Sequence, residues 1–111
     1  MDTLMRYRHI VQQVMTNYAA HRPSLPTIEV ETILDPQTDH YQIMTMGWRD
    51  QERIYGTILH VDIRRGKIWI QHDGTEDGIA EQFVAAGIPK TDIVLAYQSP
   101  FKRQFSEFAV E

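Results

Sequence analysis

The sequence predicts a single α+β domain, in which an N-terminal helix packs on a mainly antiparallel sheet and a second helix follows near residues 75–86. Two observations support this prediction. The period of the apolar residues changes along the chain from that of a helix to the alternation of strands, and later returns to that of a helix. Clusters of turn residues, rather than helical segments, separate the first strand-like runs, which favours an antiparallel meander.

The first helix is predicted from about residue 3 to residue 20. Asp2 or Thr3 can cap it, whereas Pro23 and Pro26 lack amide donors and restrict the residues before them, so the helix should end before these prolines. A helix-bundle seam would show the same apolar stripe, but strand-like runs follow, so packing on a sheet is favoured. The stripe consists of Leu4, Tyr7, Val11, Val14 and Tyr18, widened by Ile10 and Met15.

Four strand-like runs follow, rich in the branched and aromatic residues that favour strands. They are TIEVETIL from Thr27, HYQIMTMGW from His40, RIYGTILHVDI from Arg53 and KIWIQ from Lys67. The turns DPQTD, RDQE and RRG lie between them, so four consecutive antiparallel strands are expected. DIVLAY is a fifth apolar run, and SPFKRQFSEFAV is a short capped helix or an ordered tail. No linker or repeat interrupts the chain, and residues 1–111 are therefore predicted to be one domain.

The segment IQHDGTEDGIAEQF, residues 70–83, holds the densest group of ligand-type side chains and also has the pattern of a helix start. A helix from about Thr75 to Ala86 places its apolar residues on one face. Asp73 and Glu76 then have the spacing of a capping box, with Thr75 as the competing cap. The C-terminus of this helix is specified by Gly87, Ile88 and Pro89: a left-handed residue, an apolar contact to Phe83 and a residue that cannot continue the helix.

Metal binding is the alternative role for these side chains. His72 and Asp73 are adjacent, so on a strand they would point to opposite faces, which opposes a shared site. His60 and Asp62 form a second candidate pair, because residues two apart on a strand project from one face and could meet a cation. The alternation with Leu59, Val61 and Ile63 favours an outward polar pair instead. The sequence analysis therefore assigns no catalytic, cofactor-binding or metal residue.

The composition narrows the classes of function. The chain has eleven Lys and Arg residues and fifteen Asp and Glu residues, which gives a net charge of −4. DNA-binding proteins normally carry an excess of basic residues. Direct DNA contact is therefore disfavoured. The absence of cysteine excludes thiolate sites and disulfides and fits the cytoplasm. No run of about 18 apolar residues is present, so no membrane span is predicted.

The order of motifs resembles one protein family. GW at Gly47, RIYGTILHVDIRRGKIWIQHDGTEDGIA from Arg53 and AAGIPKTDIVLAYQSPFKRQFSEFAV from Ala85 closely resemble the XisI family, the fdxN element excision controlling factor proteins of cyanobacteria. The resemblance extends over essentially the whole chain. Two residues depart from the family pattern: Gln98 stands where a histidine is frequent, and Phe101 where a polar residue is common.

The resemblance implies a non-enzymatic accessory factor that acts with an XisH-like partner, while a separate recombinase performs the excision. No established catalytic residue of the family can be transferred to this chain. A homo-oligomer is a further expected mode of association, and aromatic residues near turns and the tail would serve as anchors if exposed. These aromatic residues are Trp48, Tyr55, Tyr97 and Phe101.

Two alternatives stay open at this point. The first is a small metal-dependent hydrolase or nuclease that gathers acidic and histidine side chains at one sheet edge. Its candidate residues are His60, Asp62, His72, Asp73 and Glu76. The second is a DNA-binding regulator that uses the basic residues of two turns, although each cluster is also typical of a solvated turn. Its candidate residues are Arg64, Arg65, Lys67, Lys102 and Arg103.

Overall fold

The computed structural model describes residues 2–23 and 25–111 as a five-stranded sheet with one long helix and two short α-helices. The predicted α+β class is confirmed. In chain order the elements are α1 (Thr3–Ala20), β1 (Ile28–Asp35), β2 (His40–Arg49), β3 (Glu52–Arg64), β4 (Lys67–Asp73), α2 (Ala80–Ala85), a 3₁₀ turn (Lys90–Asp92), β5 (Ile93–Leu95) and α3 (Pro100–Arg103). None of the helices in this described part is long and apolar enough to cross a bilayer.

Helix α1 has the predicted bounds, and of the two predicted caps, Asp2 and Thr3, Asp2 is the N-cap. The Asp2 side chain accepts a hydrogen bond from the Met5 amide over 2.9 Å, which satisfies one of the free donors of the first turn. The helix packs on β1 and β2 and against α2. Its buried side chains are Tyr7, Ile10, Val11 and Met15, so the apolar stripe seen in the sequence faces the sheet.

The sheet has the strand order β1-β2-β3-β4-β5. The first four strands form the predicted antiparallel meander, and β5 pairs with β4 in parallel after the crossover through α2. Because residues paired across neighbouring strands lie on the same face of a sheet, the register defines two faces. We call the face covered by α1 and α2 the inner face. Its buried residues include Tyr41, Ile43, Leu59, Val61, Ile68 and Ile70.

The opposite, outer face is much more polar in β2 and β3. The register places His40 opposite Asp62, Gln42 opposite His60 and Trp48 opposite Arg53. One extra residue, Ile58, interrupts the ladder between β2 and β3, because Ile43 pairs with Leu59 but the next residue, Met44, pairs with Thr57. This β-bulge shifts the register by one residue along the strand. It thereby determines which β3 side chains share a face with His40.

Helix α2 begins at Ala80, five residues later than the predicted start at Thr75. The Asp73 carboxylate accepts hydrogen bonds from the Thr75 amide and hydroxyl and from the Ile79 amide, and so closes residues 74–79 into a non-helical loop. The predicted capping box with Glu76 is therefore wrong: Asp73 stabilises the entry loop, and the N-cap residue is Ile79.

The predicted C-terminus of α2 is confirmed. Gly87 has a positive φ of 113°, and its amide donates to the Val84 carbonyl over 3.0 Å. The Ile88 amide donates to the Phe83 carbonyl over 3.0 Å, which completes the helix-ending motif that the Gly-Ile pair predicts. Both Ile88 and Phe83 are buried.

The C-terminal segment packs along β5. The Ala109 amide donates to the Ile93 carbonyl over 2.8 Å, and Ala109 forms a parallel bridge with Val94. Arg103 holds the segment by donating to three backbone carbonyls, those of Gln98, Ala96 and Val110, over 3.0 to 3.3 Å. The tail thus covers the edge of β5 that would otherwise be open to another strand.

Candidate functional site

The outer face brings two histidines and one carboxylate together. Asp62 Oδ1 lies 2.7 Å from His40 Nδ1 and 2.9 Å from His60 Nε2. Its other oxygen, Oδ2, accepts from Gln71 over 3.2 Å and from Arg64 over 3.4 Å. Asp62 is only 2% exposed, the one charged side chain among the buried residues of the described chain. Four polar neighbours therefore compensate for the cost of burying a carboxylate.

These neighbours also determine the ionisation of Asp62. Burial by itself would raise the pKa of the carboxyl, but the hydrogen bonds from His40 and His60, together with their charge, outweigh it and hold the pKa below its usual value. Asp62 is therefore a carboxylate at neutral pH. Solvent reaches the group from the histidine side, because the His40 side chain is 55% exposed and that of His60 is 31% exposed.

The other acidic and histidine candidates do not join this group. Among the described residues, the ligand atoms that lie within 4.8 Å of one another are those of His40, His60 and Asp62. His72 pairs with His60 in the register but lies outside the group. Asp73 is occupied by the entry loop of α2, and Glu76 is exposed there. The five-residue metal site of the hydrolase alternative is therefore not assembled.

The basic candidates divide in a similar way. The guanidinium groups of Arg64, Arg65 and Arg103 all lie over the Trp69 ring, at 5.9, 5.4 and 5.9 Å from its centroid. Arg103 at the same time holds the tail, and Lys67 donates to the Glu111 carbonyl. Arg64 also donates to Asp62, so three of the five basic candidates have structural hydrogen bonds, which weakens the DNA-binding alternative.

The aromatic candidates are exposed. Trp48 is 51% and Tyr55 68% exposed near the end of the β2–β3 hairpin, and Arg53 lies between them, 5.5 and 5.7 Å from the two ring centroids. The register places all three on the outer face. We call these three residues the hairpin patch. In the tail, Phe101 and Phe105 form an edge-to-face pair with centroids 5.2 Å apart. They are also exposed, as is Tyr97.

A comparison with models of protein families identifies the family of this chain. The family model described as XisI protein matches residues 1–110. The chain belongs to the XisI family. A comparison with curated proteins finds no match.

Solved structures of XisI proteins share the whole fold. A XisI-like protein from Anabaena variabilis is 42% identical, with a TM-score of 0.92, and the match covers 97% of this chain and 99% of that one. The fdxN element excision controlling factor XisI from the same organism is 40% identical, with a TM-score of 0.89, and the match covers 99% of this chain and 100% of that one. The predicted family resemblance is confirmed.

Sequence reasoning on this XisI-family chain missed His40. The sequence pattern pointed to His60 and Asp62 as residues on one face of a strand, and the structure confirms that placement. His40 belongs to the preceding strand, and continuing the hairpin register without a bulge would pair it with Val61 on the inner face. Only the bulge at Ile58 brings His40 opposite Asp62.

Proposed function

We propose that this XisI-family chain is a non-enzymatic controlling factor for excision of a DNA element, and that it acts by binding an XisH-like partner protein through the hairpin patch. The observation that supports this proposal is the exposure of Trp48 and Tyr55 on either side of Arg53. The family and the excision controlling factor from Anabaena variabilis support the biological role.

The chemistry of the hairpin patch suits protein association. Trp, Tyr and Arg are the residue types most enriched among side chains that dominate binding energy at interfaces. Here these residues lie on the paired strands β2 and β3. The cation–π contacts of Arg53 restrict the rotational freedom of both rings before a partner binds. Less conformational entropy is then lost on binding. In the tail, Phe101 lies on the short helix α3 and Phe105 lies two residues beyond its end, and within the described part of the chain no cation lies over either ring.

A non-catalytic role is consistent with how the polar groups are used. The Asp73 carboxylate serves the loop before α2, and the Asp62 carboxylate accepts four side-chain hydrogen bonds. Excision would then be performed by a separate recombinase. The net charge of −4 also makes phosphate contact a poor main source of affinity.

The test is binding between the purified chain and an XisH-like protein from the same host. Size-exclusion chromatography with light scattering is run on each protein alone and on the mixture, and it also reports any homo-oligomer. We expect a complex whose affinity falls at least about tenfold in Trp48→Ala and in Tyr55→Ala, as for residues at an interface centre. Phe105→Ala is the matched control, because it removes from the tail an aromatic ring that is 74% exposed.

Two outcomes would contradict this proposal. One is a chain that stays alone in the presence of the XisH-like protein but binds duplex DNA tightly at physiological salt. The other is cleavage of duplex or single-stranded DNA, with Mg²⁺ or Mn²⁺ present, that Asp62→Ala abolishes. A complex that only Phe105→Ala weakens would move the interface from the hairpin patch to the tail.

A further inference from the structure

We propose that His40, His60 and Asp62 form a binding site for a divalent transition metal on the outer face of the sheet, with Zn²⁺ as the favoured ion. This inference does not depend on the proposed partner binding. It rests on the convergence of three ligand atoms from two paired strands: Asp62 lies directly opposite His40, and His60 precedes it by two residues on the same strand. Two imidazoles and one carboxylate are a ligand set found in many zinc and other transition-metal sites.

The distances between the ligand atoms suit a metal between them. The two histidine nitrogens lie 2.7 and 2.9 Å from Asp62 Oδ1. Ligands bound about 2.1 Å from Zn²⁺, at angles of about 90° to 110°, lie about 3.0 to 3.4 Å from each other. Side-chain movements of a few tenths of an ångström would bring each nitrogen–oxygen pair to this separation, and the two histidine nitrogens lie within 4.8 Å of each other.

Protons occupy the place of the metal in the hydrogen-bonded form. A histidine nitrogen that faces a carboxylate oxygen carries a proton, and this holds for both His40 Nδ1 and His60 Nε2. A bound Zn²⁺ would replace these two protons. Each neutral imidazole would then carry its proton on its other ring nitrogen, and any proton held by a doubly protonated ring would be released to solvent.

The surroundings of Asp62 orient the carboxylate toward the histidines. Gln71 and Arg64 donate to Oδ2, so Oδ1 is left to the two rings. Neighbours that fix a ligating group in this way are typical of metal sites. The guanidinium of Arg64 also opposes the charge of an added cation, so we expect weaker binding than in a closed structural zinc site. Because His40 is largely exposed, further coordination positions would face solvent.

The experiment uses the full chain without an affinity tag, treated with a chelator and dialysed at pH 7.5. Isothermal titration with ZnCl₂ measures stoichiometry and affinity, and Co²⁺ absorption in the visible range reports coordination directly. We expect one Zn²⁺ per chain, with affinity reduced at least tenfold in His40→Ala and in His60→Ala. His9→Ala is the matched control, because His9 is an exposed histidine on α1, and it should leave the affinity unchanged.

Asp62→Asn tests the carboxylate, and circular dichroism shows whether each variant keeps its fold. If the Asp62 variant fails to fold, the exposed His40 decides the question, because replacing it should not disturb the core. The proposal is overturned if the chain binds no Zn²⁺, or if His40→Ala binds as tightly as the wild type. It is likewise overturned if His9→Ala weakens binding as much as His40→Ala does, which would indicate unspecific binding to surface histidines.

Discussion

Asp73 and Ile79 are joined by a hydrogen bond of 2.8 Å from the Ile79 amide to the Asp73 carboxylate, which links the end of β4 to the start of α2. Asp73 also accepts from the amide and hydroxyl of Thr75. The carboxylate therefore satisfies three donors of a loop that precedes the buried residues Ile79 and Ala80. This finding replaces a capping box with a loop-closing role.

Asp73→Ala should consequently lower the free energy of unfolding by about 1–3 kcal/mol, because it leaves these donors without their partner. Urea unfolding followed by circular dichroism measures the effect. Asp77→Ala is the control, since Asp77 is an exposed residue of the same loop, and its change should stay within about 0.5 kcal/mol. Equal stability of the two variants would show that the Asp73 hydrogen bonds contribute little.

Gly47 should not tolerate a side chain, whereas Gly56 in the same hairpin should. A Cβ atom on Gly47 would lie 2.1 Å from the Thr27 carbonyl oxygen, and φ there is +153°, while a Cβ on Gly56 would meet open space. We expect Gly47→Ala to destabilise the protein by about 1–3 kcal/mol, as overpacking does. Gly56→Ala should change stability by less than about 0.5 kcal/mol. Thermal and urea unfolding compare the pair, and similar values for both would contradict the close approach of Thr27.

Arg103→Ala should release the C-terminal segment from the sheet. The guanidinium donates to the backbone carbonyls of Ala96 and Gln98, just after β5, and to that of Val110 in the segment, and these lose their charged donor in the variant. The expected result is faster hydrogen exchange of the Ala109 amide, whose partner is the Ile93 carbonyl. Lys102→Ala removes the neighbouring positive charge and should leave this exchange rate unchanged. Equal rates in the two variants would show that Arg103 does not hold the tail.

The stability of the protein should depend on Tyr7 at alkaline pH. Burial, and next the hydrogen bond that its hydroxyl donates to Asp92, raises the pKa of Tyr7 to about 12 from 10.0. Because the folded pKa lies above the unfolded value, the stabilisation is complete below about pH 10 and is lost as the pH rises toward about 12. Stability falls as the pH rises in this range because the unfolded chain, in which tyrosine has the lower pKa, releases the proton at a lower pH than the folded protein does.

Urea unfolding of wild type and Tyr7→Phe at several pH values from 8 to 11 tests this dependence. We expect the wild type to be more stable by about 0.5–1.5 kcal/mol at pH 8, and this advantage to shrink above about pH 10. Tyr55→Phe is the control, because it removes the hydroxyl of a tyrosine that is 68% exposed. An advantage of Tyr7 that stays constant up to pH 11 would contradict the raised pKa.

Local chemistry made much of this fold predictable from the sequence. The apolar stripe of α1 follows from helical spacing alone, and its end near Ala20 follows from the prolines beyond it. The Gly87-Ile88 pair specifies how α2 ends, because the left-handed backbone and the apolar contact involve neighbouring residues. The start of α2 was misplaced because two patterns compete there. Asp73 could cap a helix or close a loop, and both use the same acceptor.

The sequence by itself therefore determined the α+β class, the bounds of α1, the four-strand meander and the resemblance to the XisI family. Only the tertiary structure decided which side chains meet on the outer face. An unbroken ladder from Trp48 and Arg53 would place His40 opposite Val61, but Ile58 is bulged and its carbonyl accepts from the Gly74 amide over 2.7 Å. That contact comes from a segment beyond β4, distant in sequence from the hairpin. A shift of one residue exchanges the two faces of a strand, so the bulge at Ile58 places Asp62 on the same face as His40. The bulge is accompanied by a hydrogen bond from a residue distant in sequence. No local pattern in the sequence could therefore reveal that His40 contacts Asp62.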